Sequence, residues 1–248
     1  MPDYFEILKF WEEPSSEKFD CWFYDITTPC YKKELKMVPD PLKEYIEYPK
    51  YKSLISKYLY LLYKLGQNSK DILELGVLEG VSTTAFSLGL KESGGKMVSV
   101  DLEILPQAKN KIEAIGANKI VTFWKENDLK FKAKPESYDL VFIDTTHSFG
   151  QTKKELKKFS KCVKPGGLLV LHDLINHHYK NDKELLKAVE DGLHCSKMPI
   201  PILRDDFEKS PVYLSIQSFL RVFWRQEKYR LFKNFDCRGL AIIEKLKS

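Results

Sequence analysis

The residue pattern predicts an α/β fold, a doubly wound and mostly parallel sheet of seven strands that ends in an antiparallel hairpin. Three observations carry this expectation. From residue 70 onward, short apolar runs alternate with helical stretches. The runs are almost unbroken in apolar residues, as strands buried on both faces must be. The connections between them are long enough to hold helices, which forces right-handed crossovers and places helices on both sides of the sheet.

Residues 1–48 stand apart: they are rich in aromatics, and Pro2, Pro14, Pro29, Pro39 and Pro41 interrupt every long element. Pro49 opens a helical stretch in which Tyr51, Leu54, Ile55, Tyr58, Leu62 and Leu65 recur at three- and four-residue spacing. Gly66 is placed to close it. DILEL (71–75) reads as a buried strand and VSTTAFSLGLKES (81–93) as a helix stopped by Gly94-Gly95. KMVSVD (96–101) is the second strand, followed by a helix over 106–115 that stops at Gly116. KIVTFW (119–124) and YDLVFID (138–144) are the third and fourth strands. QTKKELKKFSKCV (151–163) is a helix with Leu156, Phe159 and Val163 on one face, its lysines forming a solvated outer face. Pro165-Gly166-Gly167 then turns the chain into a fifth strand, GLLVLHD (167–173). NDKELLKAVEDGL (181–193) is helical, and YRLFKNF (229–235) with LAIIE (240–244) forms the hairpin. The expected division is a cap with one helix over 1–66 and the sheet domain over 67–248.

Composition narrows the function classes. Forty Lys and Arg against 35 Asp and Glu give a net charge of +5, and no segment has the concentrated positive charge of a dedicated nucleic-acid binder. An aromatic content of 13% excludes a disordered chain. Cys21, Cys30, Cys162, Cys195 and Cys237 are widely spaced and form no CxxC pair, so neither a disulfide framework nor a zinc site is expected. No apolar run approaches the roughly 20 residues that span a bilayer, and the acidic N-terminus lacks a signal-peptide core. A cytoplasmic protein with a small-molecule partner and no membrane partner is the expectation.

In a doubly wound sheet, ligands bind beyond the carboxyl ends of the strands, where strand order reverses. The first such loop is ELGVLEGVST (74–83). Gly76 and Gly80 leave room for a ligand near the backbone, and the helix starting at Val81 offers free N–H groups. The spacing is GxxxG rather than the GxGxxG of dinucleotide binders. Glu74 would repel a pyrophosphate and attract an ammonium group. The second strand ends in Asp101, with Glu103 two residues on, and a carboxylate there accepts both hydroxyls of a ribose. Asn127 and Asp128 follow the third strand, placed to accept from an adenine amine. Amine, ribose and adenine without phosphate describe S-adenosylmethionine.

On these residues, 70–173 resemble a class I S-adenosylmethionine-dependent methyltransferase with its Rossmann-like fold. The pieces that carry the likeness are ELGVLEG, the strand-end acid of VSVD, and YDLVFIDTTHSFGQTKKELKKFSKCVKPGGLLVLHD. The last run is similar to small-molecule O-methyltransferases that modify sugars and antibiotics, with relatives among the catechol O-methyltransferases. The resemblance implies a cofactor set of Glu74, Gly76, Gly80, Ser82, Asp101, Asp128 and Asp144. Within it, Glu74 and Gly76 would meet the methionine end, Asp101 the ribose and Asp128 the adenine.

Methyl transfer to oxygen needs the acceptor hydroxyl held by a base and in line with the sulfonium methyl. Asp144 and His147 leave the fourth strand, and His172 and Asp173 end the fifth. In the related enzymes a magnesium ion is held by such strand-end acids, and a basic residue three positions after the first acid takes the proton. By that likeness His147, Asp144 and Asp173 are the catalytic set. Asp144, His172 and Asp173 are the ligands of a divalent cation, magnesium or manganese. His172 departs from the pattern, standing where the related enzymes often have a carboxylate. Its imidazole suits manganese, iron or zinc better than magnesium, or no metal at all. A base-modifying enzyme is disfavoured because no NPPY-like tetrapeptide follows the fourth strand. An NAD-type oxidoreductase and a non-catalytic nucleoside-binding protein of the same fold remain as alternatives.

Overall fold

The structure, a computed structural model, describes residues 38–47, 55, 58–173, 215–216, 229–234 and 240–246. The N-terminal aromatics up to residue 37, Pro49 and the start of its helix, the helix expected over 181–193 and the His177-His178 pair lie outside these residues. In chain order the elements are α1 (Asp40–Glu47), α2 (Leu59–Gln67), β1 (Asp71–Leu75), α3 (Val81–Ser93), β2 (Lys96–Asp101), α4 (Pro106–Ala114), β3 (Val121–Lys125), β4 (Tyr138–Ile143), α5 (Phe149–Phe159), β5 (Val163–His172), β6 (Tyr229–Asn234) and β7 (Leu240–Lys245).

The strands lie in the order β3-β2-β1-β4-β5-β7-β6. The five from β3 to β5 pair in parallel, and β7 runs antiparallel to both β5 and β6. This is the mixed, Rossmann-like arrangement that the strand–helix alternation calls for. Ile72, Leu73, Leu75, Leu140, Val141, Phe142 and Leu168 to Leu171 are all buried, which is why these strands read as unbroken apolar runs. Strand order reverses between β1 and β4, so the crevice opens at their carboxyl ends.

Helices cover both faces. Leu59, Leu62 and Leu65 of α2 and Phe86 and Leu90 of α3 share one core with Ile72, Leu140 and Phe142. The rings of Phe86 and Phe142 meet edge to face at 5.4 Å. On the opposite face Leu156 and Phe159 pack with Leu73, Val141 and Leu169. At the far end of the strands, Lys164 bridges Asp71 and Asp139 at 2.9 Å each. Asp139 also accepts the backbone N–H groups of Lys70 and Asp71.

Three local expectations need correction. Gly66 does not close α2, which continues to Gln67. A Cβ on Gly66 would come within 2.6 Å of the Phe86 carbonyl, so this glycine permits close packing of α2 on α3 instead. Pro165-Gly166-Gly167 is not a turn before β5 but an irregularity inside it, between the pairs Tyr138–Val163 and Leu140–Leu168. The third helix of the sheet region runs from Phe149 to Phe159 rather than 151–163, because the Ser148 hydroxyl accepts from the Gln151 N–H and caps it earlier. Gly94 and Gly116 do end α3 and the turn after α4, both with positive φ.

Candidate functional site

The loop leaving β1 is held by backbone bonds before any ligand is considered. The Gly76 N–H donates to the Val100 carbonyl at 2.9 Å, and the Asp144 N–H donates to the Leu75 carbonyl at 2.8 Å. Gly76 has φ +89°, and a Cβ there would overlap the Asp144 carbonyl. The room it leaves is taken by the β4 exit. Gly80 likewise has positive φ and sits against Ala108 of α4. At both positions the protein's own packing already leaves no room for a side chain.

These strand ends surround a cavity of about 500 Å³, a size typical of small-molecule sites. Its wall includes Gly76, Ser82, Asp101, Asp128, Asp144, His147, His172 and Asp173 from the expected set. Glu74 and Gly80 are not part of it. Glu74 is fully buried, and its carboxylate accepts from the hydroxyls of Ser82, Thr83 and Ser99 at 2.6–2.7 Å. Burial pushes its pKa up to about 7, against the lowering effect of the three hydroxyls. Glu74 therefore orients the first turn of α3 from below rather than presenting an oxygen to a ligand.

At the β2 end, Asp101 accepts the backbone N–H groups of Val77 and Leu78 at 2.7 and 3.1 Å through one oxygen. Its other oxygen has, among the described residues, a single 3.5 Å contact, with the Glu103 N–H. One lone-pair face remains for a ligand hydroxyl. Beyond β3, Asp128 accepts from Gln151 Nε2 at 3.0 and 3.1 Å. Leu78 and Leu102, both largely exposed, add apolar rim on this side of the cavity.

The other end of the cavity is crowded with titratable groups. His147 Nε2 lies 3.2 Å from Asp173 Oδ2 and 3.5 Å from Asp144 Oδ1. His172 Nδ1 lies 3.3 Å from both Asp144 Oδ1 and Asp173 Oδ1. Two carboxylates and two imidazoles thus alternate in a ring. His147 and Asp173 both have left-handed backbones, with φ of 53° and 56°, a conformation non-glycine residues hold at a cost and which gathers at functional sites. His172 is buried and meets the Tyr58 ring edge to face at 5.7 Å. Ile55, from the segment before α2, also lines the cavity.

For a metal, the donor set that converges is Asp144, His147 and Asp173, whose ligand atoms lie within 4.8 Å of one another. The expected trio had His172 in place of His147. His172 Nδ1 is as near to both carboxylates, at 3.3 Å each, so His147 joins the expected donors here rather than replacing one of them. Two carboxylates and an imidazole fit a divalent cation of borderline hardness.

Sequence reasoning missed the partners of Asp128. Gln151 also donates to Glu155 Oε1 at 2.9 Å, and Thr145 donates to the same oxygen at 2.6 Å. The signal was present: Glu155 falls in register with Thr152, Leu156 and Phe159, the buried stripe of α5. An acid in an apolar stripe has to find polar partners inside.

Comparison with known proteins agrees with the likeness read from the residues. Residues 73–174 match the family model described as a methyltransferase domain. A carboxy-S-adenosyl-L-methionine synthase of Colwellia psychrerythraea is 26% identical over 165 residues, covering 64% of each chain. A polyamine aminopropyltransferase of Clostridium beijerinckii is 26% identical over 186 residues, 69% of this chain and 62% of that one. The chain thus spans somewhat less than two-thirds of the length of these curated relatives. Among solved structures, an SAH-bound methyltransferase from Podospora anserina aligns with a TM-score of 0.57 at 14% identity, over 91% of this chain and 97% of that chain. An O-methyltransferase from Bacillus cereus in complex with SAH gives 0.54 at 17% identity, over 87% and 95%. At such identities these two structures establish the fold they share with this chain. No helix among the described residues is long and apolar enough to cross a membrane.

Proposed function

We propose that this chain, which matches a methyltransferase domain over residues 73–174, uses S-adenosylmethionine to move a methyl group to a hydroxyl of a small molecule, with His147 taking the proton. The observation that supports this most is the convergence of His147, Asp144 and Asp173 at one end of the same cavity whose other end offers Asp101 and Asp128. The adenosine lies along the β2 and β3 ends, with its ribose hydroxyls on the open oxygen of Asp101 and its adenine amine beside Asp128. The sulfonium then faces the β4 and β5 ends. The presence of O-methyltransferases among the structures sharing this fold supports oxygen as the acceptor atom.

In the tautomer whose Nε2–H donates to Asp173, the imidazole of His147 has its lone pair on Nδ1, and that atom accepts the hydroxyl proton. Asp173 and Asp144 hold the ring and stabilise the imidazolium as the methyl is transferred. Removing the proton raises charge density on the oxygen as it attacks the methyl, and the freed sulfide leaves neutral. Asp144, His147 and Asp173 are also the residues that would hold a divalent cation. Such a cation would act as a Lewis acid that lowers the pKa of the acceptor hydroxyl. A neutral imidazole has one lone pair, so coordination and proton abstraction compete for the same ring.

Thermal-shift titration with S-adenosylmethionine, S-adenosylhomocysteine and NAD tests the cofactor, since a ligand that binds the folded chain raises Tm by mass action. The first two are expected to stabilise and NAD is not; the reverse order would overturn the assignment. On an acceptor found by screening catechols and hydroxylated sugars, His147→Ala is expected to lower kcat/KM by about 10²–10⁴-fold. S-adenosylhomocysteine affinity should stay within about threefold of wild type. Turnover near wild type removes His147 from the mechanism. Activity that EDTA abolishes and manganese restores would assign the imidazole to a cation instead.

A further inference from the structure

Glu155 is fully buried in α5, yet it touches both sides of the cavity. Its Oε1 accepts from Thr145, the residue after Asp144 on the β4 exit. The same oxygen accepts from Gln151, whose amide also holds the Asp128 carboxylate. Its Oε2 is buried with no hydrogen-bond partner among the described residues. Burial of this oxygen without a donor among the described residues, beside the Asp128 carboxylate, favours the uncharged acid.

We propose that Glu155 is a positioning residue, a buried carboxyl strut that sets the spacing between the adenine side of the cavity, through Gln151 and Asp128, and the reacting side, through Thr145. This rests on the cofactor orientation proposed above. It goes further in naming a group that touches neither substrate nor cofactor and yet governs both walls. Burial and the neighbouring Asp128 push the Glu155 pKa up to about 8, while the hydrogen bonds from Thr145 and Gln151 work in the other direction. The charged groups around it are Asp128 on the loop after β3, Lys158 one turn along α5, whose ammonium is held on the Asp128 and Phe131 carbonyls, and Asp144 next to Thr145. Below pH 8 the neutral strut holds Gln151 and Asp128 in place. Above it, two carboxylates converge on one amide, and the adenine wall loosens.

The experiment is calorimetric titration of the full chain with S-adenosylhomocysteine from pH 7 to 9.5, for wild type and Glu155→Gln. Gln keeps a carbonyl for Thr145 and Gln151 but cannot ionise. The ligand's own amine titrates in both series and cancels in the ratio of the two Kd values. That ratio, wild type over variant, is expected to rise about three- to tenfold across the range, as one linked proton allows. A ratio independent of pH overturns the proposal. Absence of binding by wild type at every pH overturns the cofactor reading beneath it. Thr145→Val supplies a second reading that does not depend on how E155Q folds. Losing that donor removes a bond that favours ionised Glu155, so the midpoint of the response moves to higher pH. An unmoved midpoint contradicts the strut.

Discussion

The two ends of the cavity are built on opposite terms. At the β1–β3 end the acids already have partners: Glu74 is enclosed by three hydroxyls, and Asp101 holds two backbone N–H groups. At the β4–β5 end two carboxylates and two imidazoles face one another at 3.2–3.5 Å, and two of the four residues sit in left-handed backbone conformations. One end is a largely satisfied frame, and on the reading proposed above it seats the nucleoside. The other gathers titratable groups on strained backbone, which is where the reading proposed above puts the chemistry. The contrast teaches that groups lining one cavity can be held in very different ways, some by backbone and hydroxyl donors and others by one another.

If the first end is a frame, damage to it should appear as stability. Gly76→Ala is expected to have the largest effect, because the methyl overlaps the Asp144 carbonyl and φ stays positive. A loss of about 3–5 kcal/mol in urea unfolding is expected, or failure to fold; a fully stable variant would mean that the two ends are not held together there. Glu74→Gln comes next. A carboxyl whose folded pKa is raised from 4.5 to about 7 contributes stability that is whole below pH 4.5 and is lost as pH rises through 7. The variant should therefore gain on wild type by about 3 kcal/mol between pH 4.5 and 8, at 1.36 kcal/mol per pKa unit. Parallel pH profiles for the two proteins would show that Glu74 is not the buried, titrating acid described.

Two smaller effects sharpen the comparison. Asp101→Asn keeps an acceptor for the backbone but weakens the ribose bond. S-adenosylhomocysteine Kd should rise about 10- to 100-fold, or about 1.4–2.8 kcal/mol. An unchanged Kd would take the ribose away from Asp101. Leu78→Gly relieves a left-handed, largely exposed residue with φ 45°, and denaturation should show a gain of up to about 1 kcal/mol. A loss would mean that the leucine packs on something that offsets its strain.

The strands and the reversal point were legible because period and length are local properties: DILEL, VSVD and FID occupy the strand ends that form the cavity. The acids at 101, 128, 144 and 173 could be placed there for the same reason. Partners were not legible. Gly76 looked like room for a ligand, and the neighbour it makes room for, the Asp144 carbonyl, is 68 residues away in sequence. Glu74 read as an outward acid, although a central parallel strand has no solvent face for it to reach. Pro165-Gly166-Gly167 carries the same residues whether it turns the chain or bulges a strand, and only the pairing with β4 decides. That His147 joins Asp144, His172 and Asp173 depends on the positive φ of its backbone after β4, which no periodicity encodes.

A crystal structure with bound S-adenosylhomocysteine tests most directly that the quiet end holds the nucleoside and the crowded end does the chemistry. The ribose is expected on Asp101, the adenine beside Asp128 and Gln151, and the sulfur facing His147. A nucleoside seated against the His147 ring, or found outside the cavity, would contradict the assignment of both ends.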